Sequence, residues 1–90
     1  MQNKTSLVTG ASDGIGLECC KLLAAKGCNL ILVSRRQPLL DEIAANLKAQ
    51  YPTINCTVIA ADLAAPQAAQ DLFQQVQEQG LQVDFLINNA

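Results

Sequence analysis

The sequence predicts an α/β fold built on a doubly wound parallel sheet, and three observations support this prediction. Four apolar, strand-like runs alternate with three segments of helical periodicity along the 90 residues. The apolar runs are continuous rather than alternating, as in strands that are covered on both faces. Hydrophobic residues make up 50% of the chain but aromatic residues only 3%, so the core must consist of aliphatic side chains, alanine and cysteine. The length suffices for one small domain.

Four segments are predicted to be strands. They are Thr5–Thr9, Leu30–Ser34, Cys56–Ala61 and Asp84–Asn88. Because helix-length segments separate them, the strands must run parallel, with right-handed crossovers. The simplest spatial order for such a βαβαβαβ chain is 3-2-1-4. The sheet is then incomplete at its C-terminal side, and we expect marginal stability and association through the uncovered run Phe85-Leu86-Ile87.

Three helices are predicted between these strands. They run from Gly14 to Lys26, from Pro38 to the stop at Tyr51-Pro52, and from Pro66 to the stop at Gly80. Gln37 and Ala65 are poor N-cap residues, so the starts of the second and third helices are the weakest boundaries. The side chains expected to face the core are those of Ile15, Cys19, Leu22, Leu23, Leu39, Leu40, Ile43, Ala44, Leu47, Ala69, Leu72, Phe73 and Val76.

Composition excludes several classes of function. The net charge is −2 and the cations form no stripe, which argues against nucleic-acid binding. No apolar run is long enough to cross a bilayer and no signal-peptide pattern is present, so we expect a cytoplasmic protein. The sequence has no histidine, and Cys19, Cys20, Cys28 and Cys56 form no metal-ligand spacing. We interpret the cysteines as small buried hydrophobic residues in a reducing compartment.

A glycine-rich turn, TGASDGIG, joins the first strand to the first helix at residues 9–16. Gly10 lets the chain turn sharply off the strand, Gly14 leaves a pyrophosphate free to reach the backbone, and Gly16 lets the helix approach the sheet. The helix N-terminus offers unpaired N–H groups and the positive end of its dipole to phosphates, and Ser12 can add donors. This turn, placed between a strand and a helix, predicts a dinucleotide-binding Rossmann domain.

The glycine spacing G-x-x-x-G-x-G resembles the cofactor motif of the short-chain dehydrogenase/reductase family and differs from the G-x-G-x-x-G spacing of other Rossmann enzymes. Asp62-Leu63, after the third strand, and Asn88-Asn89-Ala90, after the fourth, match two further motifs of that family in the right order. The resemblance covers the whole chain. We therefore interpret residues 1–90 as the N-terminal part of a single NAD(P)-binding Rossmann domain.

The resemblance implies reversible hydride transfer between a nicotinamide cofactor and a carbonyl or alcohol substrate. It also implies a catalytic Ser and a Tyr-x-x-x-Lys pair, but the only tyrosine, Tyr51, is followed four positions later by Asn55. We therefore expect the catalytic residues beyond Ala90, and we expect these 90 residues to be inactive alone. The alternative is a non-catalytic dinucleotide-binding module or a truncated gene product. The sequence leaves open whether the full-length form is a homo-oligomer.

The end of the second strand bears on the choice of cofactor. Ser34 stands where NAD-specific domains carry an acid that holds the ribose 2′-hydroxyl. Arg35 matches the residue that binds the 2′-phosphate in similar family members, since a guanidinium pairs well with phosphate. Arg36 is either a second contact or a solvated loop residue. We therefore favour NADP over NAD, although the charge of Asp13 would weaken 2′-phosphate binding if that side chain points inward.

The resemblance assigns further contacts to the ends of the last two strands. Asp62 either accepts a hydrogen bond from the adenine amino group, beside the Leu63 backbone, or caps the turn into the third helix. Asn89 resembles the residue near the cofactor ribose, whereas Asn88 is interpreted as structural. The complete predicted cofactor-binding set is Gly10, Ser12, Asp13, Gly14, Ile15, Gly16, Arg35, Arg36, Asp62, Leu63 and Asn89.

Overall fold

A computed structural model describes residues 3–12 and 14–89 of the chain, and these residues follow the predicted order βαβαβαβ. The strands are β1 (Thr5–Thr9), β2 (Asn29–Ser34), β3 (Cys56–Ala60) and β4 (Phe85–Asn88). The helices are α1 (Gly14–Ala25), α2 (Gln37–Gln50) and α3 (Ala68–Glu78). The predicted boundaries therefore lie close to the observed ones, and the largest shift is at the start of α3.

The four strands form one parallel sheet in the order β3-β2-β1-β4, which confirms the predicted topology. Leu7 of β1 pairs with Ile31 of β2 on one side and with Leu86 of β4 on the other. The connections through α1 and α2 move outward from β1 in one direction, and the connection through α3 returns across the sheet to β4. The sheet therefore reverses direction between β1 and β4, and in open α/β sheets ligands bind at such a point.

Alternation of side chains along β1 and β2 divides the core into two layers, one on each face of the sheet. On one face, Val8, Leu30 and Leu32 pack with residues of α1 and α2. The other face carries a smaller cluster with α3, formed by Leu7, Ile31, Val33, Ile59, Leu72 and Val76. Both central strands are thus covered on both faces, which explains their continuous apolar sequences.

Helix α1 turns a different face towards the sheet than predicted. Its buried residues are Gly16, Cys20 and Ala24. Ile15 and Leu22 were expected inside but are 73% and 64% exposed, while Cys19 and Leu23 are only half-buried. The small residues recur every four positions and line one side of the helix, so the backbone approaches the strands closely and the larger apolar side chains are left outside.

The inward face of α3 is narrower than predicted, whereas that of α2 is as predicted. Leu72 and Val76 are buried, but Ala69 is exposed and Phe73 is 50% exposed. The helix begins after Gln67, which has a left-handed backbone (φ 65°) and makes no side-chain cap. Because a left-handed residue does not belong to a right-handed helix, α3 begins after Gln67 and therefore later than predicted. In α2, all the side chains expected to face the core are buried or half-buried.

The cysteines are buried to different degrees. Cys20 and Cys28 are fully buried as predicted, but Cys19 and Cys56 are only half-buried. Burial, reinforced by the charges that Cys19 and Cys56 would carry as thiolates, raises the pKa of the Cys20 thiol from 9.0 to about 12. Burial also raises the pKa of Cys56, against a smaller opposing effect of Lys48. Both thiols are therefore held in the protonated form.

Strand β4 forms one edge of the sheet. Its start is fixed to β1 by a reciprocal pair, in which the Thr5 N–H donates to the Asp84 carboxylate at 2.9 Å and the Asp84 N–H donates to the Thr5 carbonyl at 2.8 Å. Phe85 and Leu86 nevertheless remain 43% and 56% exposed. Within the described residues, no helix combines the length and apolar character required to cross a membrane.

The exposed edge leads us to predict self-association of the 90-residue chain. A Leu86→Lys substitution should weaken this association because a charged side chain on an edge strand opposes pairing with another chain. Sedimentation velocity over a range of concentrations measures the effect. Leu22→Lys is the matched control, since it charges an equally exposed apolar site on α1, away from the edge. A monomer at all concentrations for the unsubstituted chain would contradict the prediction.

We also predict a loss of stability at alkaline pH that depends on Cys20. Its pKa is higher in the folded chain, about 12, than its ordinary value of 9.0, so unfolding releases a proton above pH 9. The stabilisation is fully present below that pH and is lost as the pH rises towards 12. Urea denaturation should show a shallower alkaline decline in the free energy of unfolding for Cys20→Ala. Ile43→Val, which removes a core methyl group but no thiol, should lower stability equally at every pH. Parallel curves for all three proteins would refute the assignment.

Candidate functional site

The carboxyl ends of the strands border an open cleft of about 470 Å³, within the usual size range of small-molecule sites. Among the predicted cofactor-binding residues that the structure describes, all except Gly16 line this cleft. Gly16, the last residue of the glycine turn, lies against the Gly10 carbonyl, and Asp13 lies outside the described residues. The structure thus brings residues from four separate parts of the sequence to one place.

The glycine turn has no space for side chains where it faces the sheet, but it has open space where it faces the cleft. A Cβ atom on Gly10, whose φ is +62°, would collide with the Asn89 carbonyl oxygen. A Cβ atom on Gly16 would lie 2.7 Å from Asn89 Nδ2 and would also collide with the Gly10 carbonyl. A Cβ atom on Gly14, by contrast, would meet nothing within 4 Å. The turn is therefore packed tightly against the ends of β1 and β4, while its outer surface leaves room for a phosphate group.

Thr9 links the glycine turn to β4, and the sequence-based prediction missed it. Its hydroxyl, in a side chain only 4% exposed, donates to Asn88 Oδ1 at 3.0 Å and accepts the Asn89 N–H at 2.9 Å. Asn89 Nδ2 in turn donates to the Gly10 carbonyl at 3.4 Å. A polar residue that ends a buried strand requires such partners, and this requirement is the signal that could have identified Thr9. The contact to Asn88 agrees with the structural interpretation of that residue.

The cationic side of the cleft follows β2. Ser34 Oγ accepts the Arg36 N–H at 3.1 Å and so shapes the short loop before α2. Arg35 and Arg36 are exposed and line the cleft. Within residues 3–12 and 14–89, the one salt bridge joins Lys21 to Glu18, so neither arginine has a carboxylate partner in that part of the chain. Both guanidinium groups are therefore available to an anionic ligand.

A further part of the cleft lining, at the ends of β2 and β3, is mainly apolar. Val33, Ala61 and Leu63 form it, beside Asp62. Asp62 Oδ1 accepts the Ala64 N–H at 3.0 Å. Asp62 therefore caps the turn that leads into α3, which is one of the two roles that the sequence left open for it. The cleft thus presents an apolar surface next to an exposed carboxylate.

We predict that the Thr9 hydroxyl stabilises the connection between the glycine turn and β4. Thr9→Val should lower the free energy of unfolding by about 0.5–1.5 kcal/mol, because it removes the part-buried hydrogen bonds to the Asn89 N–H and the Asn88 side chain. Thr9→Ser, which keeps the hydroxyl, is the control and should lose less. Urea denaturation monitored by circular dichroism distinguishes them. Equal destabilisation by Ser and Val would mean that the methyl group, rather than the hydroxyl, matters.

Comparison with known proteins agrees with this geometry. The family model described as short chain dehydrogenase matches residues 4–90. Very-long-chain 3-oxoacyl-CoA reductase from Phaeosphaeria nodorum is 47% identical over 86 residues, which cover 94% of this chain and 25% of that protein. The chain therefore spans about a quarter of the length of such relatives.

Two solved structures superpose on nearly the whole chain. L-Sorbose reductase from Gluconobacter frateurii, complexed with NADPH and L-sorbose, matches with a TM-score of 0.91 and 31% identity, over 100% of this chain and 34% of that one. A short-chain dehydrogenase from Sphingobium yanoikuyae in complex with NADPH matches with a TM-score of 0.86 and 34% identity, over 97% and 34% of the two chains. From its sheet order, its glycine turn and its match to the family model, we conclude that this chain belongs to the short-chain dehydrogenase family.

Proposed function

We propose that the chain binds NADP(H) in this cleft, as the cofactor half of an oxidoreductase that acts on a carbonyl or alcohol substrate. The observation that carries the proposal is the pair Arg35 and Arg36, which lie beside the glycine turn with no carboxylate partner in the described residues. An anionic group on the ribose would supply the missing counter-charge.

The glycine turn would hold the pyrophosphate. Helix α1 begins at Gly14, where the open side of the turn faces the cleft. Its first backbone N–H groups have no partners within the helix, and the helix dipole places partial positive charge there. Ser12 also lines the cleft and can donate a further hydrogen bond. Phosphate binding at this position is a general property of strand–turn–helix units.

The end of β2 would select the phosphorylated cofactor. An acid at this position would accept hydrogen bonds from the ribose hydroxyls of NAD and repel a 2′-phosphate. Ser34 carries no charge, and its hydroxyl accepts a hydrogen bond from the loop. A hydrogen bond to a charged group is worth about 1.5–3 kcal/mol, so one arginine contact would favour NADP by one to two orders of magnitude.

The apolar wall at Val33, Ala61 and Leu63 would cover the adenine ring. Asp62 lies next to it and retains a second carboxylate oxygen besides the one that accepts the Ala64 N–H. That oxygen can accept a hydrogen bond from the adenine amino group while the first caps the turn. The two roles that the sequence left open for Asp62 are therefore compatible.

The chemistry itself would depend on residues outside this cleft. A bound nicotinamide supplies or accepts the hydride. Tyr51 lies at the C-terminal end of α2, packs against the larger core cluster and does not line the cleft. The Ser and Tyr-x-x-x-Lys of the family are therefore expected elsewhere in a full-length protein, and the 90 residues are expected not to turn over substrate.

Two neighbours support this proposal, because the solved structures from Gluconobacter and Sphingobium contain NADPH. The relative from Phaeosphaeria is named as a reductase of very-long-chain 3-oxoacyl-CoA, and the Gluconobacter protein as a reductase of L-sorbose. Their names have carbonyl reduction in common but differ in substrate. We therefore propose carbonyl reduction as the reaction class.

The test is cofactor binding by the 90-residue chain, measured by isothermal titration calorimetry. We predict that NADP+ binds at least about tenfold more tightly than NAD+, and that Arg35→Ala weakens NADP+ binding by about tenfold or more while leaving NAD+ binding unchanged. Arg36→Ala should have a smaller effect in the same direction. Lys26→Ala is the control, because it removes the same charge from an exposed site away from the cleft.

Two results would overturn the proposal. Equal affinity of the unsubstituted chain for NAD+ and NADP+ would show that the arginines do not select a 2′-phosphate. An equal loss of NADP+ affinity in Arg35→Ala and Lys26→Ala would show that the overall positive charge, rather than a defined contact, attracts the cofactor.

A further inference from the structure

We propose that the cleft also binds coenzyme A through its 3′-phosphoadenosine diphosphate group, so that NADP(H) and coenzyme A compete for one site. This inference rests on the proposed function, since it uses the same contacts. Both ligands are adenosine 5′-diphosphates with one additional phosphate on the ribose. They differ in whether that phosphate is on the 2′ or the neighbouring 3′ oxygen, and in the group attached beyond the pyrophosphate.

The end of β2 does not distinguish these two ribose positions. A carboxylate there would hold the ribose hydroxyls by hydrogen bonds and so exclude a phosphate from either position. Ser34 is short and uncharged, and its hydroxyl accepts the Arg36 N–H at 3.1 Å. No charge on Ser34 therefore opposes a phosphate on the 2′ or on the 3′ oxygen.

The arginine side chains can follow the phosphate to either position. Arg35 and Arg36 are adjacent in the loop between β2 and α2, are exposed, and have no carboxylate partner within the described residues. A guanidinium presents five donors in a planar fork and pairs with phosphate in several geometries. Because no ion pair fixes the two side chains in advance, moving the phosphate by one ribose carbon costs only a change of rotamer.

The end of the cleft next to β4 also does not discriminate between the two ligands. On the side towards β4, the residues lining the cleft are those of the glycine turn and Asn89. Ile15 presents a 73% exposed apolar side chain there. This open apolar surface would lie beside either a nicotinamide riboside or the pantetheine arm of coenzyme A. Recognition by the described residues therefore ends at the pyrophosphate.

Calorimetry on the 90-residue chain with NADP+, NAD+, coenzyme A and dephospho-coenzyme A tests the inference. We expect the dissociation constant of coenzyme A to lie within about tenfold of that of NADP+, and dephospho-coenzyme A to bind about tenfold more weakly than coenzyme A. Coenzyme A should also displace NADP+ competitively. Ser34→Asp should weaken both phosphorylated ligands together by about tenfold or more, and Lys26→Ala should change neither.

The possible outcomes separate this inference from the proposed function. If NADP+ binds with the expected preference over NAD+ but coenzyme A binds no better than its dephospho form, the inference is wrong and the proposed function stands. If NADP+ itself shows no preference over NAD+, both are wrong. If Ser34→Asp fails to fold, Arg35→Ala provides the same comparison, and a loss confined to NADP+ would overturn the inference.

Discussion

The close contact between the glycine turn and the ends of β1 and β4 is the constraint on which the rest of the molecule depends. Neither Gly10 nor Gly16 has room for a Cβ atom, because the Asn89 backbone occupies the space beside Gly10, and the Gly10 carbonyl and the Asn89 side chain occupy the space beside Gly16. Side chains at these two positions would push α1 away from the sheet and would displace the glycine turn that lines the cleft. Local backbone sterics thus determine where the helix begins, how its dipole points and how wide the cleft is.

The same close approach continues along α1 and explains its composition. Gly16, Cys20 and Ala24 form a face of small residues, so the helix packs on the sheet through backbone and short side chains. Large side chains on that face would increase the distance between the layers. The apolar side chains of Ile15 and Leu22 therefore lie on the outside, where they cover no core of the described chain. In this helix the steric requirement for a short interlayer distance outweighs the tendency to bury the largest apolar groups.

The competition between close helix–sheet packing and burial of large apolar side chains also limits what could be predicted from the sequence. Strand order and the convergence of the glycine turn, the arginine pair and Asp62 follow from chain connectivity, which the sequence displays directly. The buried faces of α1 and α3 could not be predicted from hydrophobic periodicity. In α1, Cys20 is buried while Leu22 is exposed, and in α3, Phe73 is exposed although it lies next to the buried Leu72. Thr9 acts through hydrogen bonds to Asn88 and Asn89, whose positions only the folded chain defines, whereas Ser34 accepts the N–H of Arg36, a local partner in the next loop. Their sequence signal is limited to a polar residue at the end of an apolar run.

The attachment of β4 to β1 has a consequence for how the chain folds during synthesis. Asp84 is paired with Thr5 at one end of the two strands, and Asn88 and Asn89 with Thr9 at the other, across sequence separations of 79 and 80 residues. One side of β1 can therefore pair early with β2, but the other side stays without its partner strand until β4 has been made. Loop-closure entropy of this kind slows folding, and the unpaired side of β1 stays exposed meanwhile. The carbonyl of Gly10 also obtains its Asn89 partner only at that late stage, so the packing of the glycine turn against β4 is completed last.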